Sequence, residues 1–463
     1  MLELKMALMN WYQNYSYQQE ATTIKIYFKK QILWLSLIWL TVVTTIFNLL
    51  PLKGDDVANI KAHNLQTLHG ILINNYHMFF NWTSRIIIDP IMYMSTNLIP
   101  YWLFALLTGI ITLPILWYLT DDTKDNHFNP MLLAFFIPFI FPLPELGTAG
   151  YIATSVTYLW PIGTLAMSLL LLKHYHNVIA NIIAFCLLLF SFNNEQVAIA
   201  GFIIAGYYLI KNHHLPLTIY LTLIPNLLLH TFAPGNHHRA ILETKNWYSQ
   251  FRDLNFFQKF NLGTVTTIQH YLFGHNLVIF IFAVALVFTY NKKHPLTSLL
   301  PVAMIIGGNI LSTVTSRPLY WCTTHNPYLN HMTIAHLLLG LIFIVTCLYL
   351  LNNHHDYQII LLAGLASRIA IGFSPTIYAS ATRTFVICDA LLLYLAAKLL
   401  IKHYQVKPQS FGFILFTLIV LVVNNIQVST ALIINQNLWI NIHQVSVQMW
   451  TTIFHRWKKA TNC

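Results

Sequence analysis

Apolar runs close to the ~20 residues that span a bilayer follow one another through residues 31–430, with short polar turns between them. No water-soluble core absorbs so many. Of the 463 residues, 56% are hydrophobic and only 8% are Asp, Glu, Lys or Arg, too few to clothe a soluble sphere of this size. The chain is therefore expected to be all-α, a polytopic transmembrane bundle whose main solvent is lipid. The runs place helices near 31–52, 91–120, 131–145, 159–172, 178–193, 196–210 and 215–232, then near 271–290, 296–316, 332–351, 357–373, 384–401 and 410–430. That makes about thirteen spans.

The net charge of +11 is dispersed between apolar runs rather than gathered into a stripe, so nucleic acid is not an expected partner. Five single cysteines show no metal-ligand spacing. The histidines, many of them in turns, include no HExxH pattern, so no metal site is expected from them. About thirty mixed polar residues precede the first run, which reads as a retained span rather than a cleaved signal. Alternation from there puts Lys29, Lys30, Lys124, Lys173, Lys211, Lys292, Lys293, Lys398, Lys402 and Lys407 on the side of the N-terminus. By the positive-inside rule that side is cytoplasmic. The expected organisation is a cytoplasmic segment 1–30, a bundle 31–430 with outer loops 53–90, 146–158, 233–270, 317–331 and 374–383, and a short outer tail 431–463.

Arginine is distributed differently. Twelve of eighteen lysines fall on the cytoplasmic side and none of the seven arginines does. Arg85, Arg239, Arg252, Arg317, Arg383 and Arg456 lie in outer segments, and Arg368 lies within a span, where a charge is costly and usually faces a cavity. The guanidinium fork suits phosphate, so an outer arginine cluster points to an anionic substrate; rim pairing with acids is the plainer use of any one of them. In segment 58–80, Ile60, Leu65, Leu68, Leu72, Tyr76 and Phe79 recur at helical spacing, as in an amphipathic helix lying on the outer leaflet.

Asp55 and Asp56 stand beyond the end of the first span, where a carboxylate can act as a general base on a hydroxyl, bind a divalent cation, or merely cap the next helix. Glu195 sits between two short apolar runs and needs a partner or a role at the mouth of the bundle. Pro234 and Gly235 are expected to force a tight turn whose free N–H groups, with Asn236, His237, His238 and Arg239, would cradle phosphate; the same residues also make an ordinary connection. Ser374 to Arg383 repeats that style. Tyr151, Tyr158 and Trp160 are boundary aromatics, which anchor to the interface or stack on a sugar ring.

Taken together, Asp55-Asp56, Trp82-Thr-Ser-Arg85, Tyr158-Leu-Trp-Pro161, Asn194-Glu-Gln196, Ala233 to Arg239 and Ser374 to Arg383 resemble a bacterial multi-pass membrane family of poorly defined function, itself similar to the GT-C glycosyltransferases. The resemblance covers roughly residues 31 to 400. It implies inverting transfer of a sugar from a polyprenyl-phosphate donor to a cell-wall polymer, glycolipid or protein acceptor, without a required metal. Asp55 or Asp56, with Glu195 second, would activate the acceptor. Arg239 and Arg383, helped by Arg85 and Arg368, would hold the donor phosphate, and Asn236, His238, Tyr158, Trp160 and Gln196 would line the substrate. A cytoplasmic donor synthase and a flippase would supply it. The chain departs from many GT-C enzymes in having only about thirty residues after the last expected span. The rivals are a polysaccharide polymerase or ligase, and a lipid-sugar transporter or flippase without chemistry, for which Asp389 inside a span would matter.

Overall fold

The computed structural model describes residues 33–121, 149–274, 276–314 and 331–406, and every regular element among them is helical. Sixteen helices follow in order: α1 Leu33–Leu49, α2 Asp55–Lys61, α3 Leu68–Asn81, α4 Ile88–Asn97, α5 Tyr101–Thr120, α6 Tyr151–His174, α7 Val178–Phe192 and α8 Glu195–Asn212. They continue with α9 Leu217–Phe232, α10 Pro234–Trp247, α11 Phe256–Ile268, α12 Leu277–Tyr290, α13 Pro295–Val314, α14 His331–Leu350, α15 His355–Ile369 and α16 Val386–Val406.

Five of these stretches are long and apolar enough to cross a membrane, and up to eight spans result if each of three sharply bent pairs counts as one. The chain is thus a multi-pass helical membrane protein. The expected runs 131–145 and 410–430, and the segments 1–30 and 431–463, lie outside the described residues. Two expected elements are divided. The run 91–120 becomes α4 and α5, broken where Pro100 takes the N-cap position in an extended conformation that a continuing helix cannot use. The amphipathic segment 58–80 becomes α2 and α3, separated by a 3-10 turn at His63–Leu65, with the Thr67 side chain capping α3 on the Gly70 N–H. Gly70 permits the fold-back, since a Cβ there would overlap the Asn64 carbonyl. Leu68, Leu72, Tyr76 and Phe80 remain as an exposed stripe on α3, consistent with an interfacial helix.

Side-chain ties fix the directions of the central helices. Trp39 Nε1 donates to Thr112 Oγ1 at 3.0 Å and Trp117 Nε1 to Ser36 Oγ at 3.0 Å, so α1 and α5 run antiparallel. Trp160 Nε1 reaches Thr108 Oγ1 at 3.1 Å, and three residues further along both helices Gly163 meets Ile111, so α5 and α6 run parallel. α6 and α7 form a hairpin, α8 packs on α15, and α15 and α12 both pack on α16.

These directions sort much of the charge. At one end Lys173 meets Asp121 at 2.7 Å, Lys211 meets Asp356 at 2.7 Å, Lys402 meets His354 at 2.8 Å and Lys398 donates to the Leu119 carbonyl at 3.2 Å. Arg85, Arg239, Arg368 and Arg383 belong to the opposite end, near the first turn of α6, the junction of α7 with α8 and the start of α16. Lys53 and Lys61 share the arginine end, so the sorting is stricter for arginine than for lysine.

The glycines provide a test of the helix packing. Gly163→Ala should lower stability by about 1–3 kcal/mol, because the new Cβ overlaps the Ile111 carbonyl and drives α5 from α6. Gly206→Ala, whose Cβ would meet nothing within 4 Å, should be neutral or slightly stabilising. Thermal unfolding of both variants in detergent checks the contrast.

Candidate functional site at the α7–α8 tip

α7 and α8 meet at a bend of 119° across Asn193 and Asn194, both fully buried. Backbone polar groups in such a tip have no water to bond, so side chains must satisfy them. Asn194 Oδ1 accepts from the N–H groups of Gln196 and Val197, each at 3.0 Å, and caps α8, while its Nδ2 donates to the Thr157 carbonyl at 2.9 Å. Asn193 Oδ1 accepts from the Ile87 and Ile88 N–H groups at 3.0 and 3.1 Å, and its Nδ2 donates to Asn226 Oδ1 at 3.1 Å. The tip thereby fixes the segment carrying Arg85, the π turn Ser155–Leu159 carrying Tyr158, and α9.

Arg85 Nε donates to both oxygens of Glu195, at 2.9 and 3.1 Å. The two side chains are 20% and 28% exposed, so a solute at the rim can reach them. Only Nε is spent in this pair, and the two terminal amino nitrogens of Arg85 lie outside it. Burial is the largest single influence and works against the Arg85 charge, but Glu195, Tyr158 and Asp89 together outweigh it and hold the guanidinium above its usual pKa. Arg239 and Tyr158 lie within electrostatic range of the pair. Arg239 itself stands 5.5 Å from the centre of the Trp82 ring. It is delivered there by α10. Instead of the expected open turn, Pro234 is the first residue of this helix, and Gly235 lies so close to Phe79, Trp82 and Thr83 that a side chain would not fit.

Gln196 extends the cluster inward. Its Nε2 donates to the carbonyls of Thr384 at 2.8 Å and Ser367 at 3.2 Å, tying the tip to the turn that bears Arg383 and to the residue before Arg368. Arg368 is buried, with its guanidinium carbon 4.0 Å from the centre of the Phe385 ring; that ring also stacks on His270 at 3.6 Å. Arg85, Glu195 and Arg239 therefore share one half-exposed patch, with the buried Tyr158 within electrostatic range of it and Arg368 buried further along the same network.

The two aspartates separate in role. Asp55 is exposed at the start of α2, whereas Asp56 is buried. Asp56 accepts from the Ala153 N–H at 2.9 Å and the Ile152 N–H at 3.2 Å, capping α6 rather than its own helix. Burial pushes its carboxyl above the usual range, against the pull of these backbone donors. Because both oxygens face N–H groups, Asp56 is poorly suited to a cation, and among the described residues no group of three or more His, Cys, Asp or Glu residues converges on a metal position. Trp160 belongs to the packing, stacked on Phe104 at 5.6 Å. Asn236 Nδ2 donates to the His230 carbonyl at 2.8 Å, while His238 is exposed.

Several participants carried no motif of their own. His230 Nε2 lies 3.0 Å from the Phe192 carbonyl, which can only accept, so Nε2 carries a proton and donates there, while Nδ1 lies 2.8 Å from the Ser84 hydroxyl. Asp89, buried below Arg85 in a helix outside the candidate spans, has its carboxyl pushed up to about 6 by burial, against the pull of Arg85. The only sequence signals were a histidine in the last turn of an apolar helix and an acid four residues after an arginine.

Arg85→Met and Glu195→Gln should each destabilise by about 2 kcal/mol, between the roughly 1 kcal/mol of a surface pair and the roughly 3–5 of a buried pair that loses one partner. The double variant should cost less than the sum, as read from chemical denaturation of all four proteins. Asp89 binds its proton more tightly folded than unfolded, so its contribution is present below about pH 4 and lost as pH rises through about 6. Asp89→Asn should match the wild type near pH 4 and exceed it by up to about 3 kcal/mol near pH 7; parallel unfolding curves across that range check the sign.

The chain matches no protein-family model, no curated protein and no solved structure.

Proposed function

We propose that the arginine end transfers a sugar from a polyprenyl-phosphate donor to a cell-envelope acceptor, and that this end faces outward while the lysine end faces the cytoplasm. The reading includes about thirteen spans in a GT-C-like bundle and a cell-membrane location. The single observation that carries it is the convergence of Arg85, Arg239, Glu195 and Tyr158 on the buried tip between α7 and α8. Two arginines at one half-exposed rim suit a leaving phosphate. The exposed stripe of α3 lies beside them, so a lipid-borne donor has an apolar approach from the side.

In this scheme Asp55 is the acceptor base. It is exposed, and Tyr93 lies within electrostatic range of both Asp55 and Asp89, which connects α2 to the arginine patch. Asp55 takes the proton of the acceptor hydroxyl, the hydroxyl oxygen bonds to the anomeric carbon, and the polyprenyl phosphate leaves with the electron pair of the broken bond. The arginines receive the charge that develops on that phosphate. Asp56 and Trp160 serve as supports, holding α6 in place.

A specific observation favours the transporter as second reading. Asp389 is fully buried in the first turn of α16, accepting from the Tyr271 hydroxyl at 3.0 Å, beside the 71° bend between Phe256–Phe273 and Leu277–Tyr290. Buried acids at bent helices are a transporter trait.

The test is reconstitution in liposomes with a panel of radiolabelled polyprenyl-phosphate sugars and envelope acceptors. Donor should be consumed, with consumption falling at least about 100-fold in Asp55→Asn and Arg239→Ala, the size expected for loss of a transition-state contact. Asp55→Asn is chosen alone, because replacing Asp56 would also uncap α6. Full activity in Asp55→Asn would remove it as base, and donor crossing the membrane without glycosidic product would favour the transporter.

A further inference from the structure

α10 carries a second charged side chain on the face that bears Arg239. The helical repeat places Glu243 one turn beyond Arg239, about 6 Å along the axis at 1.5 Å per residue. An arginine followed four residues later by a glutamate is the weaker order for an ion pair on one helix. Here the guanidinium is turned over the Trp82 ring, 5.5 Å from its centre, with Glu243 within electrostatic range.

Glu243 is 7% exposed, and its Oε2 is enclosed with no hydrogen-bond partner among the described residues. A carboxylate taken out of water without a donor is costly. The other acids of this end differ: Asp56 accepts from two N–H groups of α6, and Glu195 accepts from Arg85. The hydroxyl of Thr244, beside Glu243, is already spent on the Ala240 carbonyl at 2.6 Å. α3, on which α10 packs, holds a second acceptor in the same condition. Asn75 Oδ1 is buried without a partner, while Nδ2 of the same amide donates at 3.0 Å to the carbonyl of Ile86, the residue after Arg85. Unmet acceptors thus stand near guanidinium groups that can only donate.

One kind of ligand answers both needs: an anionic group for the arginines, joined about one helical turn away to groups that carry O–H donors. We propose that Glu243 recognises the sugar of the lipid-linked donor, accepting a hydrogen bond from a ring hydroxyl while Arg239 meets the phosphate. This assignment rests on the sugar-transfer reading and deepens it. A site built to receive a hydroxyl rejects an analogue that lacks one, because its own polar group then stays unpaired. Bare polyprenyl phosphate would meet the arginines and leave Glu243 as it is. That lipid is also what remains once the sugar has been transferred, so the contact favours exchange of the spent carrier for fresh donor.

The experiment is equilibrium binding to the full chain in mild detergent, with undecaprenyl phosphate and its glucosyl, galactosyl and mannosyl derivatives as probes. At least one sugar lipid should bind about tenfold or more tightly than undecaprenyl phosphate, the size of one hydrogen bond to a charged group. Glu243→Ala should remove that preference, whereas Arg239→Ala should weaken both lipids. Glu243→Gln, close in shape, should be at least as stable as the wild type in thermal unfolding without lipid, since it removes an unpaired buried charge. The proposal is overturned by a wild type that prefers no sugar lipid, or by a preference that survives Glu243→Ala. It is equally overturned by clear destabilisation in Glu243→Gln, which would show that the protein itself already holds the carboxylate. Displacement of the sugar lipid by equimolar phosphatidylethanolamine would assign Glu243 to an ammonium group and overturn it too. Should Glu243→Ala fail to fold, an unchanged preference in Glu243→Gln decides against it alone. Binding is read without turnover, so a sugar lipid that binds through Glu243 and is never transferred ends the transferase reading and leaves this assignment standing.

Discussion

The constraint that organises this bundle is the need to satisfy the peptide groups of a helix junction buried where no water reaches. Asn193 and Asn194 meet it with their side-chain amides: Asn194 caps α8 locally, and the remaining hydrogen bonds fasten other parts of the chain. The segment before α4, the π turn of α6 and the middle of α9 are all held by these two residues. Glu195 and Gln196 follow directly, so one points its acid to Arg85 and the other spans to the carbonyls of Ser367 and Thr384. The ion pair at the rim and the ties into the core thus come from four consecutive residues.

Helix positions were largely legible in the sequence because they depend on local apolar runs. Val178–Phe192, Glu195–Asn212 and Leu217–Phe232 lie within a few residues of the expected 178–193, 196–210 and 215–232. Junction geometry was not legible in the same way. Nothing in Asn193-Asn194 states a 119° bend, which is set by the divergence of α8 toward α15, a helix more than a hundred residues away. The arginine bias and the isolated acid at Glu195 did point to the region that assembles, since charge in an apolar setting must find a partner.

Roles were harder to read than places. Asp55 and Asp56 are chemically identical neighbours, yet successive positions on a helix face different surroundings, and Asp56 turns inward onto the first N–H groups of α6. A local pattern suggests capping of the helix that follows; only the fold reveals that the capped helix begins at residue 151. Trp160 likewise looks like an interfacial aromatic until Phe104 and Thr108 are seen to occupy its face and its nitrogen. The participation of His230 and Asp89 depends on contacts with segments distant in sequence, or on burial, that no spacing encodes.

The two bonds made by Gln196 also set an order of events during biosynthesis. Its acceptor at Thr384 lies 188 residues further along the chain, so the tip is made long before its last partners exist. At ribosomal rates of roughly 5–20 residues per second, that interval is about 10–40 s. For that time a buried amide has to be served by water, by the insertion machinery or by provisional contacts. The ties from the tip to α15 and to the turn before α16 are therefore late features of the molecule, whereas Arg85, Tyr158, Glu195 and Arg239 have all been made by residue 239.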